Sequence, residues 1–137
     1  METLKITKNE AVNLYNGLID VKDVKNKQFA LKVAKNINII REALKDIEEA
    51  GMPSEEFVAL THKVQAIMKK DPENGHEDIQ KLEDENKELV EKRKEQLNIV
   101  NQKLAEDCEL ELNIFSEDSL PEDITAKQIN NIVKIIE

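Results

Sequence analysis

The 137-residue chain carries 20 Lys and Arg against 29 Asp and Glu, a formal charge of -9, and its 39% apolar share is aliphatic, with aromatics at 3% and no Trp. That length suits one domain, and an aliphatic make-up with only three glycines favours helix-on-helix packing over a hairpin-rich sandwich. The negative field argues against nucleic acid and anionic membrane surfaces as partners, and no apolar run approaches the roughly 18 residues of a spanning helix.

Residues 2–6, ETLKI, alternate weakly and read as a short strand. Thr7 with Glu10 then forms a capping box that opens a helix over 8–20, carrying Ala11, Val12, Leu14, Tyr15, Leu18 and Ile19. Gly17 weakens its last turn by about 1 kcal/mol relative to Ala. The lysine-rich stretch Val21 to Lys27 reads as the turn that follows.

From Gln28, the residues Ala30, Val33, Ile37, Ile40, Leu44 and Ile47 recur at alternating three- and four-residue spacing. They predict one amphipathic helix over 28–50, with Lys32, Lys35, Asn36, Arg41, Glu42, Asp46 and Glu49 on its outer face and a stop at Gly51 and Pro53. Ser54, followed by Glu55 and Glu56, opens a third helix over 54–70 with Phe57, Leu60, Val64, Ile67 and Met68 inward. Asp71 to Asp78 is a charged octet holding a proline and a glycine, and reads as an exposed turn.

A highly charged helix is expected over 78–106, its apolar stripe of Ile79, Leu82, Leu89, Val90, Leu97, Val100 and Leu104 interrupted by Asn86 and Arg93. Glu83 with Lys87, and Glu88 with Lys92, stand four residues apart in the favourable order and predict salt-linked pairs on a solvated ridge. The period then changes to two: Cys108, Leu110, Leu112 and Ile114 alternate with Glu109, Glu111 and Asn113, and Phe115 continues a strand over 108–115. An isolated strand cannot satisfy its own backbone, so it is expected to pair with the N-terminal segment. A second capping box, Thr125 with Gln128, starts a terminal helix over 126–136 carrying Ile129, Ile132, Val133 and Ile136.

The expected fold is therefore mainly α: one domain over 1–137, an antiparallel bundle of four to five helices with the two longest side by side, capped by a two-stranded sheet. Ile40→Asp and Ile114→Lys are each expected to destabilise it by several kcal/mol, on the order of a buried charge.

Three segments, LKITKNEAVNLYNGL, FALKVAKNINIIREAL and ELELNIFSEDSLPEDITAKQINNIV, cover about half the chain. On them the chain resembles an uncharacterised family of short tailed-bacteriophage proteins known only as a domain of unknown function. The resemblance implies a phage origin and a place in the host cytoplasm during infection or in the virion. It brings no catalytic motif with it.

Chemistry has few footholds. His62 and His76 are the only histidines, one on a helix and one in the charged turn, and both read as surface residues. Cys108 is flanked by Asp107 and Glu109, whose charges disfavour a thiolate. A lone cysteine excludes an internal disulfide and a CxxC metal site, which points to a reducing compartment. The basic runs Lys22–Lys27 and Lys92–Lys94 are broken by Asp23 and closed by Glu95. Asp71, Glu73 and Gly75 lack the ligand spacing of a calcium loop, and no phosphate-binding glycine motif occurs.

The expectation is a non-enzymatic protein with no cofactor or metal, acting by protein-protein contact with itself, as a homo-oligomer, or with another phage protein. The interaction residues expected are Glu83, Lys87, Glu88 and Lys92 on the ridge and Glu111 and Asn113 on the strand. A virion structural or assembly role comes first. The alternative is a small acidic inhibitor of a host or defence protein, since an acidic surface can occupy a site built for nucleic acid.

Overall fold

The computed structural model describes residues 1–137 and is mainly helical, with seven α-helices and one small antiparallel sheet. Strand β1 spans Glu2–Thr7, and helix α1 spans Lys8–Asp20. Helices α2, Lys27–Ala43, and α3, Lys45–Gly51, come next, then α4 over Glu55–Lys70, α5 over Gly75–Glu85 and α6 over Lys87–Leu104. Strand β2 covers Asp107–Leu112, and α7 covers Ala126–Asn131 before a terminal 3-10 turn at Val133–Ile135. The chain divides into two compact units, Met1–Glu48 with Gln102–Glu137, and Glu49–Asn101, where its length alone suggests a single domain. The physical reason is local: the apolar positions between Phe57 and Val100 find one another within that segment, so it closes as its own helical unit.

In the first unit, β1 and β2 pair antiparallel with Leu4 opposite Leu110 and Ile6 opposite Cys108, as the two alternating segments predict. Their inward residues join Leu14, Leu18, Phe29, Val33, Ile40, Phe115, Ile132 and Ile135 in one core. Helix α2 packs on α1 and on β2, and α7 packs on α1. Within this unit the partners of α2 are thus a short helix and a strand. Both capping boxes are formed: the amide of Glu10 donates to the Thr7 hydroxyl at 3.1 Å, and that of Gln128 to the Thr125 hydroxyl at 3.2 Å.

Several boundaries differ from the sequence reading. The expected 28–50 helix starts at Lys27, because the Asn26 side chain caps it through the Phe29 amide at 3.1 Å, and it is interrupted at Leu44. There the amide of Ile47 donates to the Leu44 carbonyl, a tighter 3-10 bond that separates α2 from α3. The expected 78–106 helix is split at Asn86, whose side-chain amide donates to the Leu82 carbonyl at 2.9 Å and competes with its own backbone amide for that acceptor. Helix α5 begins at Gly75, inside the octet read as an exposed turn, since Gly75 is buried against Ile67. Strand β2 stops at Leu112 rather than residue 115, because Asn113 gives its backbone groups to Asn36. The terminal helix ends at Asn131 rather than 136: Ile136 bridges Phe115 in parallel, which draws the last residues into extended backbone.

In the second unit, α4 packs on α5, and α4 starts at Ser54 as its sequence predicts, with the Phe57 amide donating to the Ser54 hydroxyl at 3.2 Å. The apolar stripes of this unit are mostly half-buried. Leu60 is its only buried hydrophobic side chain.

Candidate protein interface

The expected ridge residues lie where the sequence puts them, on the outside of α5 and α6, but they do not pair. Lys87, Glu88 and Lys92 are exposed and Glu83 is half-buried, and the ion pairs of the structure, Lys8–Asp46, Lys8–Glu106, Lys103–Asp46 and Lys134–Glu10, involve none of them. For Glu83 and Lys87 the cause is the break at Asn86, which removes the continuous helical turn that a four-residue pair needs. Glu88 and Lys92 remain on one helix, and both point into water, where such a pair is worth little.

Glu111 is exposed on the outer face of the sheet opposite Thr3. Asn113 has an internal role instead. Its backbone amide donates to the Asn36 side-chain oxygen at 2.8 Å, its side-chain amide donates to the same oxygen at 3.1 Å, and its carbonyl accepts from the Asn36 side-chain nitrogen at 2.9 Å. Asn36, expected on the outer face of its helix, is fully buried. Next to this latch, Lys32 donates to the Ile114 carbonyl at 3.1 Å and lies 5.8 Å from the Phe115 ring centre. Asn113 is therefore a tie between α2 and the end of β2.

The residues that interrupt the α6 stripe have a similar task within the helical unit. Arg93 donates to the Gly51 carbonyl and to the Gln96 side chain, each at 2.8 Å, and its guanidinium stands 5.5 Å from the Phe57 ring centre. Gln96 in turn donates to the carbonyls of Ala50 at 2.8 Å and Met52 at 2.6 Å. The carbonyls of Ala50 and Gly51 are orphan acceptors at the end of α3, where they carry the negative end of its dipole, and that of Met52 follows directly. Sequence reasoning took Arg93 for a defect in the stripe. The only available signal was that Arg and Gln, three residues apart, share the otherwise apolar side of a helix.

The electrostatics of the first unit centre on its helix ends. Hydrogen bonding to Asp46 holds the Lys8 ammonium above its ordinary pKa, with Glu106 adding to the effect, and the same contact to Lys8 holds Asp46 below the usual carboxylate range. Glu10 is lowered first by Lys134, at 2.6 Å, and then by the Thr7 amide. Arg41 is raised by its contact with the Tyr15 hydroxyl at 3.2 Å. Burial pushes the Cys108 thiol up, so the residue serves as a small hydrophobe on the inner face of the sheet.

A recess of about 600 Å³ lies between α1 and α7, lined by Asn13, Asn16, Asp20, Asn130 and Asn131 together with Leu14 and Val133. A second, of about 540 Å³, is lined by Val12, Tyr15, Arg41, Leu44 and Ile47. His62 and His76 are both exposed. No group of three or more His, Cys, Asp or Glu side chains could hold a metal ion, and no helix is long and apolar enough to cross a membrane.

In the helical unit, Val58 and Met68 on α4 and Leu97 and Ile99 on α6 are between 37% and 50% exposed, and Met52 before α4 is 63% exposed. A shallow groove of about 360 Å³ runs between Met52, Phe57, Leu89, Lys92 and Arg93. Met52 belongs to both sets, and the groove is edged by Lys92 and Arg93 on α6 and by Glu56 on α4. The fold and this surface define a mainly helical α+β protein whose least covered part is a helical hairpin. Comparison of the chain with protein-family models, with curated proteins and with solved structures finds no match.

Proposed function

We propose that the chain acts by protein-protein contact, as a structural or assembly component of a phage particle, and that the helical unit carries the contact. The observation behind this reading is the imbalance between the two units. One has a continuous buried core, while the other, 53 residues from Glu49 to Asn101, buries a single hydrophobic side chain, Leu60, and leaves Leu97, Ile99, Val58 and Met68 in water. Half-covered apolar stripes on paired helices are suited to an apolar helix of a partner protein, which would dock at positions spaced by three and four residues. The resemblance of three segments to short tailed-phage proteins supports the setting, and the charge of -9 supports a protein partner rather than nucleic acid.

The test is mass spectrometry of purified particles from cells that express a tagged copy, with the double variant Leu97→Lys, Ile99→Lys alongside. Incorporation at a fixed copy number, lost in the double variant while its circular dichroism is unchanged, is the expected result. A chain absent from particles and recovered instead on a host protein would replace this reading with the acidic-inhibitor alternative.

A further inference from the structure

The geometry points to the outer edge of β1 as a pairing edge for a second copy of this chain, the two β1 strands joining antiparallel about a twofold axis at Leu4. Such pairing would set the copy number of the assembly component proposed above, but it is read out in the isolated protein, so either idea can fail alone.

The hydrogen-bond register shows which backbone groups are free. The Lys8 amide donates to the Glu106 carbonyl at 2.9 Å, one step beyond the Thr7 and Asp107 pair, so the groups that face β2 belong to alternate residues: Lys8, Ile6 and Leu4. Those of Thr7, Lys5 and Thr3 face the other way. Two side-chain bonds agree: the outward Thr7 amide is taken by the Glu10 carboxylate at 3.2 Å, and on the far edge the Asn113 amide is taken by Asn36 at 2.8 Å. No backbone hydrogen bond outside the sheet ladder reaches Thr3 or Lys5. Both residues are exposed, and Leu4 between them is half-buried against the core.

Charge decides which partner fits. With the axis at Leu4, Thr3 faces Lys5 of the other copy, Leu4 faces Leu4, and no like charges oppose. Moving the axis to Lys5 would set the two ammonium groups against each other. The free edge of β2 is unsuitable for self-pairing, because Glu109 and Glu111 would face carboxylates in either register, and opposed like charges across strands are destabilising. A β1 edge on a β2 edge would satisfy charge, but Asn36 and Lys32 of the same chain already hold the Asn113 amide and the Ile114 carbonyl where β2 ends. Closed pairing of β1 on β1 gives a continuous four-stranded sheet and buries the remaining exposure of Leu4, whereas a lone exposed edge is a hazard.

The test is size-exclusion chromatography with light scattering on the full chain, with three substitutions at Thr3. Thr3→Pro removes only an outward amide, which an edge strand tolerates. Thr3→Lys places an ammonium against Lys5 twice per dimer, and Thr3→Glu places a carboxylate there. A dimer is expected, weakened about tenfold by Thr3→Pro and by Thr3→Lys, and tightened several-fold by Thr3→Glu at low salt. A parent that stays monomeric, a dimer indifferent to both charge changes, or open-ended growth would each overturn the inference. Both charge substitutions also face Glu111 across the sheet of their own chain, where Lys gains an opposite charge and Glu a like one, the reverse of their expected order in dimerisation, so a dimer tightened by Thr3→Glu cannot come from a firmer sheet.

Discussion

Asn36 sits one turn from Ile40 and Lys32 on α2, and its polar side chain gave every reason to place it in water. It is instead fully buried and makes three hydrogen bonds to Asn113, so α2 is tied to the end of β2 by a polar contact inside an aliphatic core. Asn36→Ala would leave the Asn113 amide and carbonyl unpaired, at a cost of about 2–3 kcal/mol. Urea unfolding checks the value, and a cost under half a kcal/mol, roughly that of a neutral surface change, would contradict the latch. Ile40 is fully buried, so Ile40→Asp is expected to cost several kcal/mol, of order 3 or more, as read from the sequence. Ile114 is only half-buried, where a lysine can extend its ammonium to water, so Ile114→Lys is expected to cost about 1 kcal/mol. Parallel denaturation of both variants checks that order. The aliphatic stripe was legible because burial follows a period. Asn36 was not, because a buried asparagine is defined by a partner 77 residues away in sequence.

Among the elements, both strands, their pairing and both capping boxes could be read from local patterns, since alternation and a Thr with Glu or Gln three residues on are short-range signals. The interruptions at Leu44 and Asn86 could not, because neither involves proline or glycine, the usual marks of a helix break. Gly17 shows how a contact changes the reading of a residue. Alone it weakens α1, yet a Cβ there would lie 2.9 Å from both the Cβ and the carbonyl oxygen of Asn131 in α7. Gly17→Ala is therefore expected to destabilise by about 1–3 kcal/mol despite alanine's better helix propensity. A stabilised variant in thermal melts would show that α7 yields freely. The ion pairs at the element ends predict a pH profile. Asp46 and Glu10 are held low, so their contribution is complete above the ordinary carboxylate range near pH 4 and is lost as pH falls through their lowered values. Lys8 is held high, so its contribution is complete below its ordinary value and is lost as pH rises through the raised one. Lys134→Met is expected to soften the acid limb of a melting series, and an unchanged limb would remove Glu10 from the account.

At the scale of the molecule, the division into two units was hidden by length, which fits one domain, and by an apolar pattern that runs through both. What separates them is the depth of burial. The helical unit keeps Leu60 alone as a buried hydrophobic side chain, against a contiguous core of fourteen residues in the other. Of the candidate ridge, Lys87, Glu88 and Lys92 are exposed and Glu83 is half-buried, and none of the four takes part in an ion pair. The apolar positions beside it, Leu97 and Ile99, carry the proposal instead. Hydrogen exchange read along the chain, first in the isolated protein and then in purified assemblies, tests this most directly. The expected result is fast exchange over 55–101 and slow exchange in α1, α2 and the sheet when the protein is alone, with protection gained over 55–101 on assembly. Uniform slow exchange in the isolated protein, with nothing gained by the helical unit in the assembly, would contradict it.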